Sequence, residues 1–313
     1  VKALAVDLGG SHAACALVDD DRLVAASTVD TDGSRGLSGA LPAIAGALRT
    51  LLASSGVHAS ACGGIAFGFC GLVDTTAHRV LSTNAKYDDA PALDLVAWAR
   101  DALGLGLRLE NDARLALLGE RHAGAARGFD DVVMMTLGTG VGGAAMMEGR
   151  LVRGRHFQAG CLGGHLPARF DGLPCSCGAI GCVEAEASTA ALPRLLAAWP
   201  GATGSTLATA SPLDYRAVLA AARAGDAVAT GIRDRSLQVW AAGAVGLVHA
   251  YDPEIVVVGG GVLAGGDEVL AAIADRVHHH AWTPWGRVTV RASALGASAA
   301  LLGAVPLLSM QDA

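Results

Sequence analysis

Asp7-Leu8-Gly9-Gly10-Ser11 decides the fold of this chain, together with a second stretch, Leu137-Gly138-Thr139-Gly140-Val141-Gly142-Gly143, whose leucine lies 129 residues after Leu8. Each closes an apolar strand, and each leads into another strand. At that same offset Ala13-Ala14 meets Gly142-Gly143, Leu17-Val18 meets Met146-Met147, and Asp19 meets Glu148. Arg22-Leu23-Val24 and Arg150-Leu151-Val152 correspond after a one-residue slip. Two strand–glycine turn–strand units half a chain apart indicate an internally duplicated architecture with one unit in each of two domains.

Outward from the first turn, residues 13–18 and 23–29 read as strands joined by the hairpin turn Asp19-Asp20-Asp21. Helices are expected over 37–52, around 94–103, over 113–123 and over 226–251, with strands at 65–69, 107–110 and 255–258. Hairpin strands followed by alternating helix and strand signal an α/β fold with a mixed sheet. A length of 313 residues suits two domains. With 52% hydrophobic but only 4% aromatic residues, the core must be built from Ala, Val and Leu. That composition excludes a disordered tail, and the clustering of the 42 glycines excludes collagen. A net charge of -6 without a Lys/Arg block offers no broad footprint for nucleic acid or an anionic membrane. The longest apolar stretch, 239–250, is shorter than the ~20 residues that a membrane-crossing helix needs. The opening residues reach Asp7 too soon for a secretory segment. Cys161, Cys175, Cys177 and Cys182 cluster in a way that argues for metal in a reducing compartment, the cytoplasm, over a disulfide framework.

Three segments carry chemistry. Asp7-Leu8-Gly9-Gly10-Ser11, Leu137-Gly138-Thr139-Gly140 and Val258-Gly259-Gly260-Gly261 are glycine turns at strand ends. Backbone N–H groups unobstructed by Cβ approach phosphate oxygens closely, so the three together favour a nucleotide site in which Asp7 holds the waters of a phosphate-bridging Mg2+. Leu109-Glu110-Asn111-Asp112-Ala113 sits where a strand gives way to a helix. Two readings stand at this point: Asn111 or Asp112 caps the helix, or Asp112 is a general base for an acceptor hydroxyl. His165, Cys175, Cys177 and Cys182, at separations of ten, two and five, make a closed tetrahedral set for structural Zn2+. Gly178 and Gly181 let the chain wrap around the ion, and Cys161 reads as a free buried thiol.

Taken together these motifs resemble the ROK family (repressors, open reading frames and sugar kinases), on the duplicated, ribonuclease H-like two-domain ATPase fold shared with actin and hexokinase. The resemblance also rests on Gly164-His165, on Cys175-Ser176-Cys177-Gly178-Ala179-Ile180-Gly181-Cys182-Val183-Glu184 and on Val258-Gly259-Gly260-Gly261-Val262, and it spans nearly the whole chain. It implies a small α/β domain over 1–113, completed by a C-terminal helix at 297–313. It likewise implies a large domain over 114–296 that carries the zinc segment 165–184. Asp112 would be the catalytic base, and Asn84, Asn111 and Glu184 would hydrogen-bond sugar hydroxyls. His165 would ligate zinc with one ring nitrogen and offer the other to the sugar. The turns at Asp7, Gly9, Gly10, Ser11, at Gly138, Thr139, Gly140, and at Gly259, Gly260, Gly261 would bind ATP. The implied reaction is phosphoryl transfer from ATP to a hexose hydroxyl, that of the 6-position, by a homodimer whose domains close to exclude water.

The chain departs from the family pattern at three places. Leu162 stands where the family has a sugar-contacting Glu, Phe69-Cys70-Gly71 replaces Val-Pro-Gly, and Ala85-Lys86-Tyr87 replaces Leu-Pro-Gly after Asn84. A missing acceptor leaves one sugar hydroxyl unpaired, which costs about 1–3 kcal/mol. The departures point from plain glucose toward an amino, acylated or otherwise modified sugar. A non-catalytic sugar sensor is the alternative they raise. Only six residues precede Asp7, so a repressor's helix-turn-helix is not expected there.

Overall fold

The computed structural model describes residues 1–83 and 86–310. The chain divides into two units. Unit 1 takes Val1–Gly128, Arg153–Cys161 and the segment from Ala297 onward, and unit 2 takes Phe129–Val152 and Leu162–Gly296.

Unit 1 begins with β1 (Lys2–Leu8), β2 (His12–Asp19) and β3 (Arg22–Asp30). Ala3-Leu4-Ala5-Val6 is fully buried, as expected for a central strand covered on both faces. In β3 half-buried and exposed residues alternate, the mark of an edge strand with one wet face. A crossover helix, α1 (Leu37–Ser54), leads to β4 (Cys62–Phe69). Its Leu37, Leu41, Ile44 and Leu48 recur every three or four residues, so they form one stripe, and all are buried against the sheet. By length and composition α1 could cross a membrane, but here that apolar face is core. Gly36 cannot cap α1, and Asp89 accepts from Leu37 N (2.6 Å) and Ser38 N (2.9 Å) in its place. The hairpin β5 (Leu72–Asp74) and β6 (Arg79–Ser82), then α2 (Leu95–Leu103), lead to β7 (Leu107–Asn111) and α3 (Asp112–Ala123). The sheet order is β3-β2-β1-β4-β7, with β1, β4 and β7 parallel.

Unit 2 repeats the plan. β8 (Val132–Leu137), β9 (Val141–Met147) and β10 (Arg150–Leu151) come first, followed by α4 (Val183–Ala187), α5 (Leu192–Ala197), α6 (Tyr215–Arg223) and α7 (Ala227–Tyr251). β11 (Ile255–Gly259), α8 (Glu268–His280) and β12 (Thr289–Ala292) complete it. Its sheet runs β10-β9-β8-β11-β12, the same sequence of two antiparallel and then two parallel pairings. The expected correspondence needs one correction. Leu8 pairs with Ala13 across four turn residues, whereas Leu137 pairs with Val141 across three. The slip therefore falls inside the turn: Ala14 matches Gly142 and Val18 matches Met146, so the offset after the turn is already the one that aligns Leu23 with Leu151.

The expected boundary at 113/114 also moves, because it cuts α3 in its first turn. α3 packs against α9 (Ala299–Leu302) and α10 (Ala304–Ser309), which cover the face of the first sheet opposite α1. The approach is closed to side chains. A Cβ on Gly119 would lie 1.9 Å from the Ala299 carbonyl oxygen, and one on Gly303 would lie 2.1 Å from that of Leu115. Gly119→Ala is therefore expected to cost about 2 kcal/mol or more through overpacking. Gly39→Ala, on the exposed side of α1 with no atom within 4 Å, should gain about 0.5–1 kcal/mol. Thermal unfolding followed by circular dichroism checks both, and an unchanged midpoint for Gly119→Ala would contradict the packing.

Candidate active site

In unit 1, β1, β4 and β7 end side by side, with Asp7 level with Gly68 and Phe69 level with Asn111. Loops at these carboxyl ends are where open α/β sheets hold ligands. Three segments project there: Gly9-Gly10-Ser11 after β1, Cys70-Gly71 after β4, and Asp112 at the first position of α3.

Of the Asn111-Asp112 pair, one residue takes the capping role. Asn111 is the N-cap, its Oδ1 accepting from Arg114 N at 3.2 Å. Its Nδ2 donates to Gly71 O (3.2 Å) and to Asp112 Oδ1 (2.9 Å), and Ala113 N donates to the same Asp112 oxygen at 2.8 Å. Asp112 is thus held through one carboxylate oxygen. Burial pushes its pKa up to about 6, against the lowering pull of the Ala113 and Asn111 bonds. Burial, followed by repulsion from Asp112, pushes Asp7 up to about 7. The first glycine turn closes through Gly9 N to His12 O (2.9 Å), and Ser11 is exposed, its Oγ 3.2 Å from His12 Nδ1. The buried Tyr87 braces this turn, its hydroxyl donating to Gly9 O at 2.8 Å and lying 2.7 Å from Thr31 Oγ1. Asn84 lies outside the described residues.

In unit 2 two glycine turns are neighbours, since β8 pairs with β11. Gly260 has φ 95°, and a Cβ there would lie 2.2 Å from the Leu137 carbonyl oxygen, so only glycine passes. The turn at Gly138-Thr139-Gly140 is pinned by Thr189 N to Gly138 O and Ala190 N to Thr139 O, both 3.0 Å. Glu184 reaches the same turn, its Oε2 accepting from Val141 N at 2.9 Å. The family resemblance implies a sugar hydroxyl for Glu184, and nothing in its local sequence signals this bond.

His165, Cys175, Cys177 and Cys182 have ligand atoms all within 4.8 Å of one another. Cys177 Sγ and Cys182 Sγ are 3.7 Å apart, and Cys175 Sγ is 3.5 Å from His165 Nδ1. Tetrahedral zinc with ~2.3 Å bonds to sulfur and ~2.05 Å bonds to nitrogen would set about 3.75 and 3.55 Å. The residues therefore fit the ion. Gly178 and Gly181 have φ values of 90° and 68°, which bend the loop around the cluster. Leu162 is 41% exposed nearby in sequence, an apolar side chain left facing solvent.

Arg114 and Arg153, which help hold this site, stand outside the motifs of the sequence. Glu110 and Arg114, both fully buried, pair with each other, and Arg153 donates to the other Glu110 oxygen at 2.7 and 2.9 Å. For Tyr87, which braces the first turn, the sequence signal is the departure at Ala85-Lys86-Tyr87.

A family model of the ROK family matches residues 3–311. A glucokinase of Thermotoga maritima is 33% identical over 316 residues, covering 98% of this chain and 97% of that protein. An N-acetylmannosamine kinase of Citrobacter koseri is 34% identical over 260 residues, covering 83% of each. The crystal structure of a ROK family glucokinase from Streptomyces griseus with glucose and AMPPNP superposes with TM-score 0.82 at 31% identity, covering 98% and 99% of the two chains. The protein belongs to the ROK family and has its two-domain α/β sugar kinase fold, of the actin and hexokinase ATPase type.

Proposed function

We propose that this ROK-family sugar kinase transfers the terminal phosphoryl group of ATP to the 6-hydroxyl of a hexose or hexose derivative, with Asp112 as general base. The observation that carries the reading is Asp112 itself, fixed by Asn111 and Ala113 through one oxygen, while burial poises its pKa near neutrality. A base is most effective when its pKa lies near the working pH. Asp7 supplies the oxygen ligand or water anchor for Mg2+, a hard cation that would favour its ionised form. Bound Mg2+ would neutralise charge on the phosphates. The backbone N–H groups of the three glycine turns bind phosphate, and Asn84, Asn111, His165 and Glu184 serve the sugar. Asn111 works chiefly by holding Asp112, since its amide is already engaged at Gly71, Asp112 and Arg114. The Cys/His set holds structural Zn2+, which orders the segment carrying His165 and Glu184. Nδ1 of His165 faces the thiols, leaving Nε2 for a ligand. The exposed Trp282 and Trp285 are the candidate contacts of a homodimer.

A coupled ADP-release assay across hexoses, amino sugars and N-acyl sugars tests the reading. Asp112→Asn is expected to lower kcat by about 10²–10⁴-fold. A raised carboxyl pKa means a protonated, inactive base at low pH, so kcat/KM should climb as pH passes through about 6 and level off above it. Turnover that survives Asp112→Asn removes the base, and tight sugar binding without any turnover favours a sensor. Leu162→Glu restores the family's acceptor and should lower KM for glucose by about 5–150-fold, the equivalent of 1–3 kcal/mol. No change there would disconnect Leu162 from sugar choice. Metal analysis should find stoichiometric zinc, and chelation should lower the unfolding midpoint. Zinc-free protein with unaltered stability under chelator would dismiss the ion.

A further inference from the structure

The tract that departs from the family pattern after Asn84 brings a cation onto the first glycine turn. The stem of Lys86 runs across Gly33, where a Cβ would lie 3.0 Å from Lys86 Cβ. Its ammonium ends on Gly10, where a Cβ would lie 2.1 Å from Lys86 Nζ, so the bare glycine leaves room for this position of the side chain. Tyr87 fixes this path, because its N–H donates to Gly33 O at 2.7 Å while its hydroxyl donates to Gly9 O. Among the described residues Lys86 has no ion-pair partner. Arg114, another cation of this neighbourhood, is committed to Glu110, to Phe157 O (3.0 Å) and to Ala159 O (2.5 Å). Cys70, just after β4, feels the same charges: beyond the effect of burial, Asp112 raises its pKa, Lys86 lowers it and Asp7 raises it.

An unpaired ammonium against bare glycine backbone offers an anion both a counter-charge and N–H donors. We propose that Lys86 is a catalytic residue, whose ammonium binds the γ-phosphoryl oxygens at the Gly9-Gly10 turn and offsets their charge during transfer. The assignment rests on the kinase reading above. In the step, a lone pair of the acceptor oxygen attacks the γ-phosphorus. The bond from that phosphorus to the β-phosphate oxygen breaks, its electron pair leaving with ADP, and the acceptor proton passes to Asp112. Negative charge moves over the γ oxygens throughout, and a fixed ammonium gains most where such charge is least hydrated.

Lys86→Met and Lys86→Arg in the full chain test this. Titration calorimetry with AMPPNP and with ADP, each with Mg2+, reads the γ-phosphoryl contact without any turnover. The wild type should bind AMPPNP the more tightly, and Lys86→Met should lose that preference. Its kcat should fall by about 10²-fold, the size found for losing one charge-stabilising donor, with sugar affinity unchanged. Lys86→Arg should recover part of both. Lys86→Met that keeps kcat within about threefold together with its AMPPNP preference overturns the proposal. A loss confined to sugar affinity overturns it too, since the ammonium would then grip the acceptor. If the wild type phosphorylates no sugar, the kinase reading fails, and the AMPPNP and ADP comparison still decides Lys86. The side chain is only half-buried, and a thermal melt verifies that each variant is folded.

Discussion

Two carboxylates that cannot both be well hydrated govern unit 1. Asp7 ends β1 and Asp112 begins α3 after β7, and parallel pairing through β4 leaves both at one edge of the sheet. Burial raises both pKa values, and the charge on Asp112 raises that of Asp7 further. A fold gains no stability from such a pair: between the ordinary carboxylate range and about 7 the native state holds protons that the unfolded chain gives up, so stability falls as pH rises. Strained electrostatics of this kind are what a base and a cation anchor need.

The duplicated topology shows how the two units came to differ in chemistry. In the first sheet Asp7 lies opposite Ala14, and in the second the equivalent position is Thr136, opposite Gly142. Unit 2 thus has no acid at that strand end. What it keeps is backbone: the Gly138 turn, and a Gly260 that fits against Leu137 only because it lacks a side chain. One unit carries two buried carboxylates with raised pKa values and a cation on its turn, and the other carries backbone glycine turns and a cysteine-rich loop.

Features set by local spacing were legible in the sequence, and those set by distant packing were not. His165, Cys175, Cys177 and Cys182 lie within one short segment, so their convergence needs only two glycines with positive φ. The strands around Asp7 were readable because burial on both faces demands an unbroken apolar run. Asn111 and Asp112 were ambiguous because cap and first helical residue are adjacent, and only the hydrogen bonds tell them apart. The slip between the two halves was misplaced because a constant offset is blind to a turn one residue shorter. The domain boundary failed because α3 is claimed by helices far along the chain, through contacts at Gly119 and Gly303 that no local pattern announces. The neighbourhood of Lys86 was equally hidden, since its ammonium meets a glycine turn that belongs to β1 and β2.

Asp112 is held in place by more than its own two bonds. Two residues before it, Glu110 is a fully buried carboxylate at the penultimate position of β7, satisfied by Arg114 one helical turn on, by Arg153, and by the Asn111 N–H at 2.9 Å. Arg114, equally buried, spans from Glu110 to the carbonyls of Phe157 and Ala159, and so fastens residues 153–161 to unit 1 although the chain on either side belongs to unit 2. A buried ion pair contributes little net stability against an apolar replacement, yet removing one partner costs about 3–5 kcal/mol. Such a cluster is a poor way to make a core and an effective way to forbid alternatives. Neither β7 nor the start of α3 can shift by a residue without stranding a charge. Asp112, the proposed base, is therefore positioned by a buried charge cluster that penalises any other register.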